Sequence, residues 1–330
     1  MKFALLSVTY GGLFYSGRAL SVEEQILKAK ELGFEGLAIE TKRPVASPVD
    51  LTKQHRERIR SVAADEGISL CAVESMSNFT SRYMEDRENN LMMMRSVLEL
   101  AKDLGVSMVK VFAAWPGLVN DEEEIAMYAQ YERGNYYKRL YPPDLRKWRR
   151  AVEGIREVAD WAADMGITLL LQNHAPVLTP GYEDVLAMTR EIDRKNVKIC
   201  LDVPLFYDRQ SDDYVRESVR ACRTFLAYSH YGAWNFSEAE NGRAVQDPAP
   251  SFGGKINYES FVDELLNTGY DGYLVSEYCL PVLKDHKPAG IEEVDRGTRL
   301  AMSYMRELIQ RSLSSKRPRS PKMSIASKAG

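Results

Sequence analysis

The chain has 330 residues, of which 45% are hydrophobic and 28% are charged, a composition typical of ordinary globular proteins. Its formal net charge of −3 at pH 7 provides no general attraction to nucleic acid or to an anionic membrane. No apolar run in the sequence is long enough to span a bilayer. We therefore expect neither nucleic acid nor a membrane as a partner.

The amino-terminal run MKFALLSVTYGG has too short an apolar stretch for a signal peptide, and it is better interpreted as a first strand. The cysteines Cys71, Cys200, Cys222 and Cys279 lie far apart, and three of them fall in strand-like apolar runs. This pattern favours buried free thiols over disulfides or a thiolate metal site. A reducing, cytoplasmic location is the expectation.

Strand-like and helix-like segments alternate along almost the whole chain. Ser21 and Glu24 have the spacing of a capping box, which predicts a helix that begins there and ends before Gly33. The predicted strands cover residues 3–9, 36–40, 68–74, 107–112, 167–172, 197–202, 225–230 and 272–277. The other predicted helices cover residues 49–65, 86–104, 143–165, 182–192, 212–222, 257–267 and 291–310.

Eight strands with eight helices predict an α/β protein with a (β/α)8 TIM barrel, formed by a single domain over residues 1–310. A six-stranded doubly wound sheet would account for only six of the eight predicted strand–helix units. No GxGxxG or P-loop pattern opens any of the helices, which disfavours dinucleotide or nucleotide binding.

Two long loops and a basic tail interrupt the alternation. Both loops follow strands, so both are expected to overhang the catalytic face as lids or binding loops. Loop 115–141 carries Trp115, Tyr128, Tyr131, Tyr136, Tyr137 and Tyr141, and loop 231–256 carries Trp234, Phe236, Arg243 and the Gly253-Gly254 pair.

Aromatic faces in these loops suit a sugar or an aglycone, so Trp115, Trp234 and Arg243 are the predicted substrate-binding residues. The alternative is that the aromatic side chains pack on each other or on a partner subunit. The tail, residues 311–330, is basic and serine-rich without an apolar period, and it is predicted to be disordered.

Four predicted strands in the second half each end with a side chain that can bind a metal. LLLQNH ends with Gln172 and His174, VKICLD with Asp202, FLAYSH with His230 and GYLVSE with Glu277. Carboxyl ends of barrel strands meet at one face, so these side chains are expected to converge on a single cation. Carboxylate, imidazole and amide donors suit Mn²⁺, Mg²⁺ or Co²⁺, and Zn²⁺ is an alternative. Any one of them alone is more simply a helix cap or a satisfied polar group, but four in consecutive strands argue against independent caps.

At these residues the chain resembles the xylose-isomerase-like TIM-barrel superfamily of sugar phosphate isomerases and epimerases. LLLQNH, ICLDVP, YSHYGAW and GGKINYESFVDELLNTGYDGYLVSEY carry the resemblance, which covers residues 1–310. The family's ligands on strands 5 to 8 are Glu, Asp, His and Glu. The resemblance therefore implies Gln172, Asp202, His230 and Glu277 as ligands of one divalent cation, with Mn²⁺ preferred.

Gln172 departs from the family pattern, in which this position is a glutamate that shares acid–base work with the strand-8 glutamate. A glutamine can ligate through its amide oxygen but cannot accept a proton at neutral pH. His174 is the natural substitute base, because imidazole titrates near the working pH. The predicted catalytic residues are therefore Glu277 and His174.

Three functions remain open at this point. The first is an isomerase or epimerase that removes a proton beside a carbonyl of a carbohydrate. The second is a lyase that acts on 3-oxo-glycosides by β-elimination, as in the larger subunits of C-glycoside deglycosidases. The third is a degenerate, non-catalytic subunit that binds a sugar or a partner protein. As for assembly, the chain is compatible with a homo-oligomer or with a complex that contains a small partner subunit. Endonuclease IV, from the same superfamily, is disfavoured, because it needs three metals and many more histidines than the four present here.

Overall fold

The computed structural model describes residues 1–119, 127–128, 144–174, 178–203, 209–249 and 254–316. Eight parallel strands close into a barrel in which each strand pairs with its neighbour in chain order and β8 pairs with β1. The strands are β1 Lys2–Leu6, β2 Gly36–Glu40, β3 Ser69–Glu74, β4 Met108–Val111, β5 Thr168–Gln172, β6 Val197–Cys200, β7 Leu226–Gly232 and β8 Tyr273–Glu277. The predicted (β/α)8 barrel is confirmed.

Within the described residues, eight α-helices follow the barrel strands and form the outer ring. They are α1 Val22–Leu32, α2 Lys53–Glu66, α3 Met84–Leu104, α4 Leu145–Asp164, α5 Tyr182–Ile192, α6 Asp212–Cys222, α7 Tyr258–Asn267 and α8 Ile291–Lys316. The predicted capping box of α1 is present: Glu24 N–H donates to Ser21 Oγ at 3.2 Å, and Ser21 N–H donates to Glu24 Oε2 at 2.8 Å. Gly33 ends this helix at φ 84°, a conformation that glycine adopts without steric cost.

The last helix is longer than predicted. It continues to Lys316, so residues 311–316 of the predicted tail are helical, and residues 317–330 lie outside the described part of the chain. No glycine or proline interrupts the chain between Arg311 and Lys316, and the Ser312 hydroxyl donates to Asp263 on α7 at 2.5 Å. The helix end predicted at residue 310 is corrected to Lys316.

Side chains alternate between the barrel interior and the helical ring, as the pleat requires. Leu170, Tyr228 and Val275 lie in the apolar cluster inside the barrel. The side chains two positions further along the same strands are Gln172, His230 and Glu277. The interior is therefore apolar in its middle layer and polar towards the carboxyl ends of the strands, the face that carries the chemistry of TIM barrels.

Both predicted long loops contain short antiparallel pairs of strands. Leu118–Val119 pairs with Met127–Tyr128, and Phe236–Glu238 pairs with Ala244–Gln246. The second hairpin packs on α8, with the Phe236 ring 5.3 Å from the Tyr304 ring. Tyr131, Tyr136, Tyr137, Tyr141 and Gly253 lie outside the described residues. Within the described part of the chain, none of the helices combines the length and apolarity needed to cross a bilayer.

Candidate metal and active site

Side chains from the last four strands meet around the Nδ1 atom of His230. The amide nitrogen of Gln172 lies 3.1 Å from it, Asp202 Oδ2 lies 3.5 Å from it and Glu277 Oε2 lies 3.8 Å from it. The Gln172 amide also donates to Asp202 Oδ2. Gln172, Asp202 and His230 are buried, whereas the Glu277 side chain remains 12% exposed. The structure thus brings the four sequence-predicted ligands together, with Glu277 on the open side.

The ends of β5 and β6 are held in register by Asn173, whose side chain points away from the cluster. Asn173 Nδ2 donates to the Asp202 carbonyl at 3.1 Å, and Asp202 N–H donates to Asn173 Oδ1 at 2.8 Å. The carboxylate of Asp202 in turn accepts the backbone N–H of His230 at 3.2 Å. These bonds fix the Asp202 side chain beside the imidazole, although Asp202 lies beyond the last residue of β6.

The donor set fits a divalent cation. Gln172 Oε1 is buried and has no hydrogen-bond partner among the described residues, while the amide nitrogen occupies the space between Asp202 and His230. The two ends of a glutamine amide have the same shape, so the same side-chain position can present the oxygen there. Two carboxylates, an imidazole nitrogen and an amide oxygen then form a set suited to a hard or borderline cation.

Electrostatics at the site also favour a cation. Burial raises the pKa of Glu277 to about 8, and the Asp202 and Glu74 carboxylates add to this shift against the opposing charge of His230. Burial alone would lower the pKa of His230, but the charges of Glu74 and Asp202 raise it well above its usual range. Both groups therefore retain protons that a divalent cation can replace.

Cys200 lies beside this cluster but is not suited to ligate as a thiolate. One ligand atom each from Cys200, Asp202 and His230 lie within 4.8 Å of one another, and Cys200 Sγ donates to Asp202 Oδ1 at 3.6 Å. Burial and the charges of Asp202 and Glu74 raise the pKa of the Cys200 thiol well above its usual range. Cys71, Cys200 and Cys222 are buried free thiols, as predicted, whereas Cys279 is only partly buried.

His174 lies at the mouth of the barrel against two aromatic rings. Its ring centroid is 5.3 Å from that of Phe112 and 5.4 Å from that of Trp115, both in edge-to-face geometry. Trp115 itself stacks on Phe112 at 4.6 Å. The predicted base and one predicted substrate-binding residue are therefore neighbours.

The other two predicted substrate-binding residues are placed differently. Trp234 is buried, and its ring covers Gly232 so closely that a Cβ there would lie 2.5 Å from it. Arg243 lies on the hairpin over α8, where Nε donates to Glu307 at 2.7 Å. The described contacts of Arg243 thus join it to the helical ring rather than to the cluster around His230.

Sequence reasoning missed a buried group beneath the cluster. Glu74 Oε1 lies 2.9 Å from His230 Nε2 and accepts the Tyr228 hydroxyl at 3.0 Å, while Glu74 Oε2 lies 3.2 Å from Lys110 Nζ. Burial would raise the pKa of Glu74, but the His230 and Lys110 charges together with the two hydrogen bonds lower it to about 2. The sequence does contain one indication of this buried pair, because two predicted strands each carry a charged residue. These are Glu74 at the end of strand 3 and Lys110 within strand 4.

Comparison with known proteins agrees with this architecture. A family model described as xylose isomerase-like TIM barrel matches residues 26–308. The chain belongs to the xylose isomerase-like TIM-barrel family.

Several proteins similar to this xylose isomerase-like barrel are sugar epimerases. D-psicose 3-epimerase from Agrobacterium fabrum is 29% identical over 48% of the chain, a match that covers 55% of that protein's length. A crystal structure of D-psicose 3-epimerase with D-tagatose from Clostridium cellulolyticum H10 is similar with a TM-score of 0.69 and 20% identity, over 94% of this chain and 99% of that one.

A third similar structure is that of 3-keto-D-glucoside 4-epimerase from E. coli, with a TM-score of 0.64 and 18% identity over 93% of this chain and 99% of that one. At these identities the structural likeness shows the fold alone. The sequence match spans little more than half of the first curated relative.

Proposed function

We propose that the chain is a divalent-metal-dependent sugar epimerase or isomerase that removes a proton from the carbon beside a carbonyl. The observation that carries this proposal is the meeting of Gln172, Asp202 and Glu277 around His230 Nδ1. Both the similarity to D-psicose 3-epimerases and the family membership support a small carbohydrate as the substrate.

Gln172, Asp202, His230 and Glu277 would hold the cation, with Mn²⁺ preferred. When bound, the cation supplies Lewis acidity to a carbonyl oxygen of the sugar and to its neighbouring hydroxyl. The two carboxylates would neutralise the charge of the divalent cation, and the other two ligands are neutral. The buried cluster would then carry no net charge from the cation and its four ligands.

Glu277 is positioned to move the proton. Its side chain is the partly exposed member of the predicted ligand set, so a substrate that enters the mouth can reach it. A carboxylate that the substrate can reach can accept a proton and return it, and bound substrate excludes water from the contact.

His174 is the second candidate for proton transfer. Its imidazole packs edge-to-face against Phe112 and Trp115, two residues after Gln172 in the chain. Because the Gln172 amide cannot accept a proton, a two-base epimerisation needs another group on that side, and imidazole titrates in the right range.

A lyase on 3-oxo-glycosides is the second candidate function, and Gln172 is the residue that favours it. Elimination needs one base to remove the proton beside the ketone, after which the β substituent leaves with the electron pair. One-sided abstraction by His174 or Glu277 suffices for that reaction, so the loss of a carboxylate at position 172 does not impair it.

Hydrogen exchange at the substrate carbon tests both functions together. The purified protein would be incubated with Mn²⁺ in D₂O and with D-psicose, D-fructose, D-tagatose or a 3-oxo-glucoside, and NMR would follow deuterium uptake and product. Mn²⁺-dependent uptake with an epimer or ketose product supports the epimerase, and release of the aglycone supports the lyase. Bound Mn²⁺ without uptake on any substrate would overturn both and leave the sugar-binding subunit.

A variant at Glu277 separates proton transfer from metal binding. Glu277→Gln keeps a ligand oxygen but removes the proton acceptor, so it is expected to lose deuterium exchange while retaining some Mn²⁺. EDTA treatment of the wild-type protein should abolish exchange, and added Mn²⁺ should restore it.

A further inference from the structure

The imidazole of His230 is held between two different groups of side chains. Its Nδ1 atom faces Gln172, Asp202 and Glu277, and its Nε2 atom lies 2.9 Å from Glu74 Oε1. His230 is 1% exposed and Glu74 is fully buried, so water does not compete for the Nε2 contact. The ring orientation therefore depends on Glu74 at one nitrogen and on the proposed metal ligands at the other.

Glu74 is itself fixed by two further strands. The Tyr228 hydroxyl of β7 donates to the same Oε1 atom at 3.0 Å, and Lys110 Nζ of β4 lies 3.2 Å from Oε2. Lys110 is 2% exposed, and its ammonium group also lies 3.8 Å from the centre of the Phe112 ring. The charge of Glu74 is thus matched inside the barrel by Lys110, leaving Asp202 and Glu277 to match a divalent cation.

A carboxylate that accepts one imidazole N–H determines which tautomer the ring adopts. With the proton on Nε2, the lone pair of Nδ1 points to the opposite side, where the four predicted ligands meet. A carboxylate partner also makes the ligating nitrogen more basic than a neutral partner does.

We propose that Glu74 is a positioning residue for the metal site, which holds His230 with its proton on Nε2 and its Nδ1 lone pair directed at the cation, and that Lys110 balances the charge of Glu74. This inference rests on the proposed function, since it gives the proposed ligand its orientation. Loss of such a partner commonly lowers metal affinity by about 10- to 100-fold.

The variants must remove Glu74 and Lys110 together. Removing one partner of a buried ion pair strongly destabilises a fold, whereas replacing both by apolar residues of similar size is often tolerated. Glu74→Leu with Lys110→Met removes the acceptor, and Glu74→Gln with Lys110→Met keeps an oxygen at the same place without the charge. Circular dichroism and thermal unfolding would verify that each double variant folds.

Calorimetric titration with Mn²⁺ is the first measurement. The Glu74→Leu, Lys110→Met variant (the Leu/Met variant) is expected to bind Mn²⁺ about 10- to 100-fold more weakly than wild type. The Glu74→Gln, Lys110→Met variant is expected to show a smaller loss of Mn²⁺ affinity. A folded Leu/Met variant with wild-type affinity would overturn the inference. If wild type itself binds no Mn²⁺, the proposed function fails instead.

The second measurement does not depend on either variant folding. In ¹⁵N-histidine NMR spectra of the wild-type protein loaded with diamagnetic Zn²⁺, His230 should show a proton on Nε2 and a metal-shifted Nδ1. His55→Ala, His174→Ala and His286→Ala spectra would assign the His230 signals. A metal-shifted Nε2 with the proton on Nδ1 would contradict the proposed role of Glu74.

Discussion

The side-chain amide nitrogen of Gln172 lies 3.1 Å from His230 Nδ1 and also donates to Asp202. An amide at this position contributes a ligand oxygen but no charge, so the proposed ligands carry two formal negative charges, those of Asp202 and Glu277. The charge of the side chain at position 172 should therefore affect how tightly the site binds a divalent cation.

Gln172→Glu is expected to tighten Mn²⁺ binding by about tenfold or more, equivalent to about 1.4 kcal/mol, because a third carboxylate joins the set. The more heavily compensated cation is a weaker Lewis acid, so any lyase activity should fall. Calorimetry and elimination kinetics would measure the two effects. Gln54→Glu on the exposed surface of α2 is the charge-matched control, and equal or weaker Mn²⁺ binding in Gln172→Glu would contradict the prediction.

His230→Ala is expected to abolish stoichiometric metal binding with little loss of fold. The substitution removes the nitrogen around which the other proposed ligands meet, while the Glu74–Lys110 pair below stays intact. Metal content would be measured by mass spectrometry after dialysis, beside His55→Ala on α2 as a control. Full metal content in His230→Ala would refute the assignment of this site.

His174→Ala is expected to lower turnover by about 10²- to 10⁴-fold, the range for loss of a general acid or base. Metal affinity should change little, because the described ring contacts of His174 are with Phe112 and Trp115. Kinetics and metal titration on the same preparation would separate the two effects. Wild-type turnover in this variant would leave Glu277 as the base and His174 as a packing residue.

Trp115→Ala is expected to raise the KM for a sugar by about two- to tenfold, from the loss of an aromatic contact worth about 0.5–1.5 kcal/mol. Arg243→Ala is the informative comparison, because its guanidinium is bonded to Glu307 on α8. A KM increase in the Arg243 variant equal to that in the Trp115 variant would restore Arg243 to the predicted substrate site. If neither variant changes KM, the alternative that Trp115 serves packing is correct.

Local features of the sequence were sufficient for most of the fold. The bounds of α5 and α6, Tyr182–Ile192 and Asp212–Cys222, are those predicted, and the Ser21–Glu24 capping box is present as expected. Each of these features is determined by residues within a few positions of one another, where backbone hydrogen bonding and apolar periodicity act. The repeated polar residue after an apolar strand likewise placed Gln172, Asp202, His230 and Glu277 at one face.

Only the tertiary structure related these residues to Glu74 and Lys110. Closure of the barrel brings β3 and β4 across the interior from β7, and no local pattern in the chain encodes which buried side chains then meet. For the same reason, the packing of the hairpin on α8, and with it the pairing of Arg243 with Glu307, could not be predicted. The sequence by itself determined which strands carry the polar side chains, and the closed barrel decided which of those side chains contact one another.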